Sequence, residues 1–250
     1  MSMTGLRVAV PAPARTAHRF GLFSVLDFLS ERPLQLSWDS IGCGLLSTNE
    51  DPCLTGVNDL TVAAMAACST NGAFNFTVTG YDESSLGRTP RTEDSTRANQ
   101  HLLLGEQREV ETRLTQKLFA IANNVSTTVA GSNVELKARV ALGEAETAVN
   151  LLGGEGILFV RRALVSLIPN CFQTTGSVLR TVLGTPVAAC AGWDASVPVG
   201  AVLGVAALVA ARGPVSESSG YFLKTNSLSK IAQRDYGMGW ECQPQYANTI

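Results

Sequence analysis

Two histidines, His18 and His101, and six cysteines are the residues of this 250-residue chain best suited to nucleophilic or metal chemistry. A Ser-His-Asp or Cys-His site would have to draw on one of those two histidines. His18 stands in a proline-punctuated N-terminal stretch and His101 near the start of a long helical pattern, and neither sits in a nucleophile motif. No G-x-S-x-G, H-E-x-x-H or phosphate-loop pattern occurs. Gly153-Gly154-x-Gly156 follows a helical pattern, which is the wrong context for a phosphate cradle, and reads as a helix cap and turn. Glu144 and Glu146 are two residues apart and cannot face each other on a helix, while Glu155 lies beyond its end. The residues therefore predict no catalytic site, no cofactor and no metal.

The cysteines, Cys43, Cys53, Cys68, Cys171, Cys190 and Cys242, lack the paired C-x-x-C spacing of a zinc site. They read as reduced core residues, and Cys43 and Cys53, flanking a loop, could pair late in an oxidising medium. Net charge of −2 and a pI near 5.7 give no global attraction to nucleic acid. One local basic group, Arg7, Arg15, His18 and Arg19, precedes the first acid, Asp27; an ordinary soluble arm and a phosphate-contacting arm both fit it. Arg161-Arg162 fits either anion binding or the ordinary ion pairs of an exposed helix start. The sequons at Asn75 and Asn124 matter only in a secreted protein, and the opening MSMTGLRVAVPAPA lacks a sustained apolar region. The uncharged run Val197–Ala211 falls short of the roughly 20 residues of a membrane span, and reads as a buried strand.

The elements that would position these residues follow a clear order. Residues 1–37 read as an arm, with a short apolar run at Phe20–Leu29. Residues 38–81 read as an extended loop or hairpin, in which Phe74, Phe76 and Val78 share one face of a strand. Asp82–Asp94 reads as a connector. A helix over 95–123, roughly 40 Å long, should bury Leu103, Val110, Leu114, Leu118 and Ile121, with Glu106 on another face. A second helix begins at a capping box, Ser132-x-x-Glu135, and carries the small stripe Ala141, Ala145, Ala148 and Leu152. Strand Gly156–Val160, a helix Arg161–Ile168 and strands near Val178–Val182, Pro186–Ala191 and Ile231–Cys242 complete an α+β chain.

This order resembles the major capsid protein of tailed double-stranded DNA phages, of the Hong Kong 97 type, in the short form found in phages of actinobacteria. The segments that carry the resemblance are Arg19–Ser24, Gly105-Glu-Gln-Arg-Glu-Val-Glu111, Gly156–Arg162, Leu183–Val187 with Gly192-Trp193, and Asn226–Cys242 with Ala232-Gln-Arg234. The resemblance implies an N-arm (1–37), an E-loop (38–81), a peripheral domain (82–131 and 203–250) built on the spine helix, and an axial domain (132–202) with its tip at Gly192–Gly200. It implies a structural subunit, not an enzyme, that self-assembles into pentamers and hexamers around double-stranded DNA. Scaffold, portal and decoration proteins would be further partners, with no membrane. The chain would reside in the virion after assembly in the host cytoplasm. Arg15, Arg19, Trp38, Arg88, Arg91, Arg161, Arg162 and Trp193 are the expected inter-subunit contacts. Lysine occurs only at Lys117, Lys137, Lys224 and Lys230, so the expected E-loop has none for a chain-mail crosslink. An encapsulin-like compartment and a cytosolic enzyme with a non-local Cys/His site are the competing readings.

Overall fold

A computed structural model of the chain describes residues 18–30, 72–85, 92–153, 156–222 and 227–248. Arg15, Trp38, Cys43, Cys53, Arg88 and Arg91 lie outside the described residues, as does most of the expected arm and E-loop. The elements, in chain order, are α1 (Leu22–Val25), β1 (Phe28–Leu29), β2 (Gly72–Ser85), α2 (Thr92–Ile121), β3 (Asn123–Asn124) and α3 (Val134–Asn150). They continue with β4 (Ile157–Arg161), α4 (Arg162–Leu167), β5 (Phe172–Thr175), β6 (Val178–Thr181), β7 (Pro186–Cys190) and β8 (Val202–Val205). The last are β9 (Leu208–Arg212), β10 (Ser216–Phe222), β11 (Ser227–Trp240) and β12 (Gln245–Ala247).

Two sheets result. In the first, β11 is the axis: β2 runs antiparallel to it from Ser227↔Ser85 to Trp240↔Gly72. Its other edge is taken first by β10 and then by β9, to which the short β1 adds in parallel. The alternation in β2 behaves as expected, with Val78 buried, Phe74 and Phe76 half-buried, and Asn75 and Thr77 exposed. The strand continues through Asp82–Ser85, where a connector was expected, because β11 offers partners along its whole length. The second sheet has the order β3-β12-β8-β4-β7-β6-β5, and its central β4 and β7 are parallel. The run Val197–Ala211 is not one strand. It supplies β8 to the second sheet and β9 to the first, crossing at Ala206-Ala207. A continuous apolar run tells of burial, not of which sheet buries it.

Helix α2 has 30 residues, about 45 Å at 1.5 Å per residue, and packs on β2 and β11 with further contacts to α1 and β8. Its buried face carries Ala98, Leu102, Val110, Leu114 and Leu118. Leu103, expected in that stripe, is 59% exposed, and Ile121 lies at the boundary of exposure. Three consecutive leucines left the stripe ambiguous by one position, and the sheet takes Leu102. Glu106 is correspondingly buried rather than on a solvent face.

The approach of this helix is close. A Cβ on Gly80 of β2 would lie 2.4 Å from the Leu102 nitrogen and 2.6 Å from the Ala98 carbonyl oxygen, and one on Gly192 would lie 1.9 Å from the Arg108 oxygen. Helix α3 is capped by Asn133, whose side chain accepts from the Leu136 amide at 3.0 Å, one residue beyond the expected Ser132. Glu135 pairs with Arg139 instead of reaching back to the cap. Ala138, Ala141, Ala145 and Val149 seat α3 on the second sheet, while Ala148 and Leu152 are only half-buried. Gly153 ends this helix with φ of 91°, as the cap reading anticipated.

Aromatic rings tie α1 and β1 to the first sheet: Phe23 meets Phe28 edge-on at 5.0 Å, Phe28 meets Tyr236 at 6.1 Å, and Phe76 stacks on Tyr236 at 5.5 Å. Cysteine usage departs from expectation at one position. Cys242 is disulfide-bonded, whereas Cys171 and Cys190 are free. The sequence reading places Cys242 among the reduced core thiols because no paired C-x-x-C spacing includes it, and its disulfide overturns that reading.

We expect Gly80→Ala to lower the unfolding free energy by about 1–3 kcal/mol, since the new methyl meets helix backbone that cannot rotate away. Gly105→Ala on α2, where an added Cβ meets nothing within 4 Å, should instead stabilise by about 0.5–1 kcal/mol. Urea unfolding of the two variants checks both signs.

Candidate functional site

The polar residues of the fold concentrate on one stretch of α2, Glu106 to Glu111. Glu111 is fully buried, and its carboxylate accepts four N–H donors. Oε1 takes the Leu22 amide at 3.0 Å and Gln107 Nε2 at 2.9 Å, and Oε2 takes the amides of Ala191 and Gly192 at 2.7 and 2.8 Å. Charge-assisted bonds of this kind are roughly twice as strong as neutral ones. One carboxylate thus joins the N-terminal segment, the long helix and the chain leaving β7. Gln107 adds to this joint, accepting from the His18 amide at 2.8 Å and donating to the His18 carbonyl at 3.3 Å.

One turn earlier, Glu106 performs the same office for the first sheet. Its Oε2 accepts from Arg212 Nη2 at 2.8 Å and its Oε1 from Arg234 Nη1 at 2.5 Å, while the Tyr236 hydroxyl also donates to Oε1. Burial, then the hydrogen bond to Glu106, pushes the Tyr236 phenol far above its ordinary range. Arg212 in turn lies over the Phe23 ring, 5.1 Å from its centroid. The Cys190 thiol is also raised, first by burial and then by the negative charge of Glu111.

The described positions expected to mediate contacts fall into two groups. Arg19 and Arg162 meet: Arg162 Nη1 donates to the Arg19 carbonyl at 3.0 Å, a hydrogen bond where an ion pair was expected. The Arg19 guanidinium lies 4.7 Å from the Phe20 ring centroid, and Phe20, at φ 63°, accepts from the Ala189 amide at 2.8 Å. Arg161 is the half-buried last residue of β4. Trp193 is apart from these; its Nε1 donates to the carbonyls of Val197 and Pro198, closing its own loop. In that loop Asp194 accepts from the Ser196 hydroxyl and amide, which lowers its carboxyl below the ordinary range.

His101 donates from Nδ1 to the Tyr81 carbonyl at 2.9 Å. His101 and His18 line one cavity of about 780 Å³ beside α2. Among the described residues no group of three His, Cys, Asp or Glu side chains is placed to hold a metal, and no helix is long and apolar enough to cross a membrane. Glu106, Gln107 and Glu111 were not foreseen as site residues. The available signal was a cluster of polar residues interrupting an otherwise apolar helical face, within the segment Gly105–Glu111.

No protein-family model matches the chain, and no curated protein matches it. Solved structures similar to it include a virus-like particle from Pyrococcus furiosus, at 9% identity over 69% of this chain and 75% of that one, with a TM-score of 0.47. The mature capsid of bacteriophage PhiM1 is similar at 13% identity over 70% and 71%, TM-score 0.45. The SrpI encapsulin of Synechococcus elongatus is similar at 10% identity over 72% and 74%, TM-score 0.44.

Two outcomes are expected. Glu111→Gln turns an amide NH₂ toward donors that now point at Oε2, so stability should fall by at least about 1–3 kcal/mol in urea titration. N-ethylmaleimide at about pH 8 should label half-exposed Cys171 in the folded chain and leave Cys190 unlabelled until denaturant is added, as mapped by peptide mass spectrometry.

Proposed function

We propose that this chain is a structural, non-enzymatic shell subunit of the Hong Kong 97 type that assembles into the icosahedral head of a tailed phage. The observation that carries the reading is the agreement between the order of parts implied by the resemblance and this fold. A clamped N-terminal segment precedes a long strand, a 30-residue helix serves as spine, and a helix-covered second sheet is joined to the first where the chain passes from β8 to β9 at Ala206-Ala207 and returns from β11 to β12.

Surface chemistry supports self-association. Leu183, at the turn entering β7, is 79% exposed, and Val199, in the loop leaving it, is 62% exposed. Leu151 beyond α3 and Val182 are similarly bare. Large apolar side chains held at both ends of one rigid sheet suit burial against further copies of the same chain. In this reading the peripheral domain comprises 82–131 and 203–250, the axial domain 132–202, and pentamers and hexamers enclose double-stranded DNA in a virion assembled in the host cytoplasm. Arg19, Arg161, Arg162 and Trp193, with Arg15, Trp38, Arg88 and Arg91, are the proposed contacts between copies, and scaffold, portal and decoration proteins the further partners.

Sedimentation velocity and negative-stain microscopy of the purified chain, alone and with the neighbouring head genes co-expressed, test this. Closed particles that package DNA in the phage are expected. A chain that stays monomeric at high concentration under both conditions contradicts the proposal, and particles filled with a cargo enzyme would make it a compartment shell instead.

A further inference from the structure

The cavity beside α2 has a divided lining. His18, His101, Arg108 and Arg212 supply cationic or proton-donating groups, whereas Phe23, Leu103 and Leu104 supply apolar wall. Its size, about 780 Å³, falls in the range of small-molecule sites, roughly 300–1,000 Å³.

The charge balance around it is uneven. Among its lining residues two guanidinium groups, Arg108 and Arg212, stand against one carboxylate, Glu106, and that carboxylate is already engaged. The buried Glu111, to which the lining residue Gln107 donates, is filled by four N–H donors. Glu106 accepts from Arg212, Arg234 and Tyr236. Among the described residues no carboxylate pairs with the exposed Arg108 guanidinium. The Nε–H groups of Arg212 and Arg234 are buried without a hydrogen-bond partner, so the cluster has more donors than acceptors. Beside this surplus of positive charge, Leu103 and Leu104 project into the opening on α2 rather than into the core.

We infer that this cavity binds an anion carrying an apolar group, its charged end held by Arg108 and Arg212 and its apolar part laid against Leu103, Leu104 and Phe23. A carboxylate next to a large aliphatic group is the chemical class that satisfies both halves, whether it arrives as a free amphiphile or as an acidic residue beside a leucine in a protein segment. The surplus donors orient the anion, and the apolar wall adds affinity in proportion to the area it removes from water. This site stands whether or not the chain builds a shell.

The probe is 8-anilinonaphthalene-1-sulfonate, an anion on an apolar ring system, titrated by fluorescence into the folded full-length chain. One saturable site per chain is expected. Its uncharged counterpart N-phenyl-1-naphthylamine should bind roughly tenfold or more weakly, as expected for loss of one charge-assisted contact. Arg108→Ala and Leu103→Glu, both on exposed side chains and therefore compatible with folding, should each weaken the sulfonate by at least about tenfold, with unchanged circular dichroism. Competition by decanoate assigns the site to free amphiphiles, and competition by the peptide acetyl-Leu-Glu-Leu-amide assigns it to a protein segment. The inference is overturned if neither competes, if the neutral probe binds as well as the sulfonate, or if both variants bind it unchanged. Particle formation is scored separately on the same preparations, so loss of probe binding and failure to assemble are distinguishable.

Discussion

A buried carboxylate saturated by N–H donors, three of them backbone amides, is the constraint on which this structure turns. Among the described residues Glu111 has no cationic partner in contact; its charge is held by the amides of Leu22, Ala191 and Gly192 and by Gln107. A charge in that position is tolerable only while the donors converge, because an unpaired buried carboxylate is strongly disfavoured. Two of the chain segments that donate are remote in sequence, so the requirement acts on tertiary structure rather than on the helix alone. Glu106 repeats the device with side-chain donors and fixes β9 and β11. Together they make α2 a beam to which the N-terminal segment, the first sheet and the exit of β7 are all fastened.

Close backbone approach makes these bonds possible. Gly80 and Gly192 allow strand and loop to come within touching distance of the α2 backbone, where any side chain would hold them off. The aromatic contacts of Phe23, Phe28, Phe76 and Tyr236 then seal the joint from water. Exclusion of water strengthens the hydrogen bonds it surrounds and keeps the Tyr236 phenol protonated as a donor to Glu106. A subunit stiffened in this way can carry exposed apolar side chains at the ends of its second sheet without those ends collapsing inward, which is what the proposed lattice role requires.

Much of the scaffold was legible from residue patterns, and the reasons it was not fully so are physical. The strand at Phe74–Val78, the long helix, β4, α4, β6 and β7 each follow from a local period and local turn chemistry. The stripe of α2 holds at Val110, Leu114 and Leu118 but misses by one residue at its start, because Leu102, Leu103 and Leu104 are interchangeable to a periodicity argument and only the sheet distinguishes them. Val197–Ala211 concealed two strands because its two halves are apolar for the same reason in different sheets. The buried carboxylates were illegible for a different cause. Acidic residues on a helix ordinarily mark its solvent face, and the donors that reverse that rule for Glu106 and Glu111 come from residues up to 128–130 positions away, Arg234 and Tyr236 among them. The Cys242 disulfide was hidden as well, since no paired C-x-x-C spacing marks that cysteine.

Native-state hydrogen exchange of three amides tests the central claim most directly. If Glu111 fastens the N-terminal segment and the β7 exit to the spine helix, the amides of Leu22, Ala191 and Gly192 exchange only with global unfolding, at the same free energy as amides in the middle of β8 and β11. Fast exchange of these three, at the rate of exposed turns while β8 and β11 stay protected, would contradict the account.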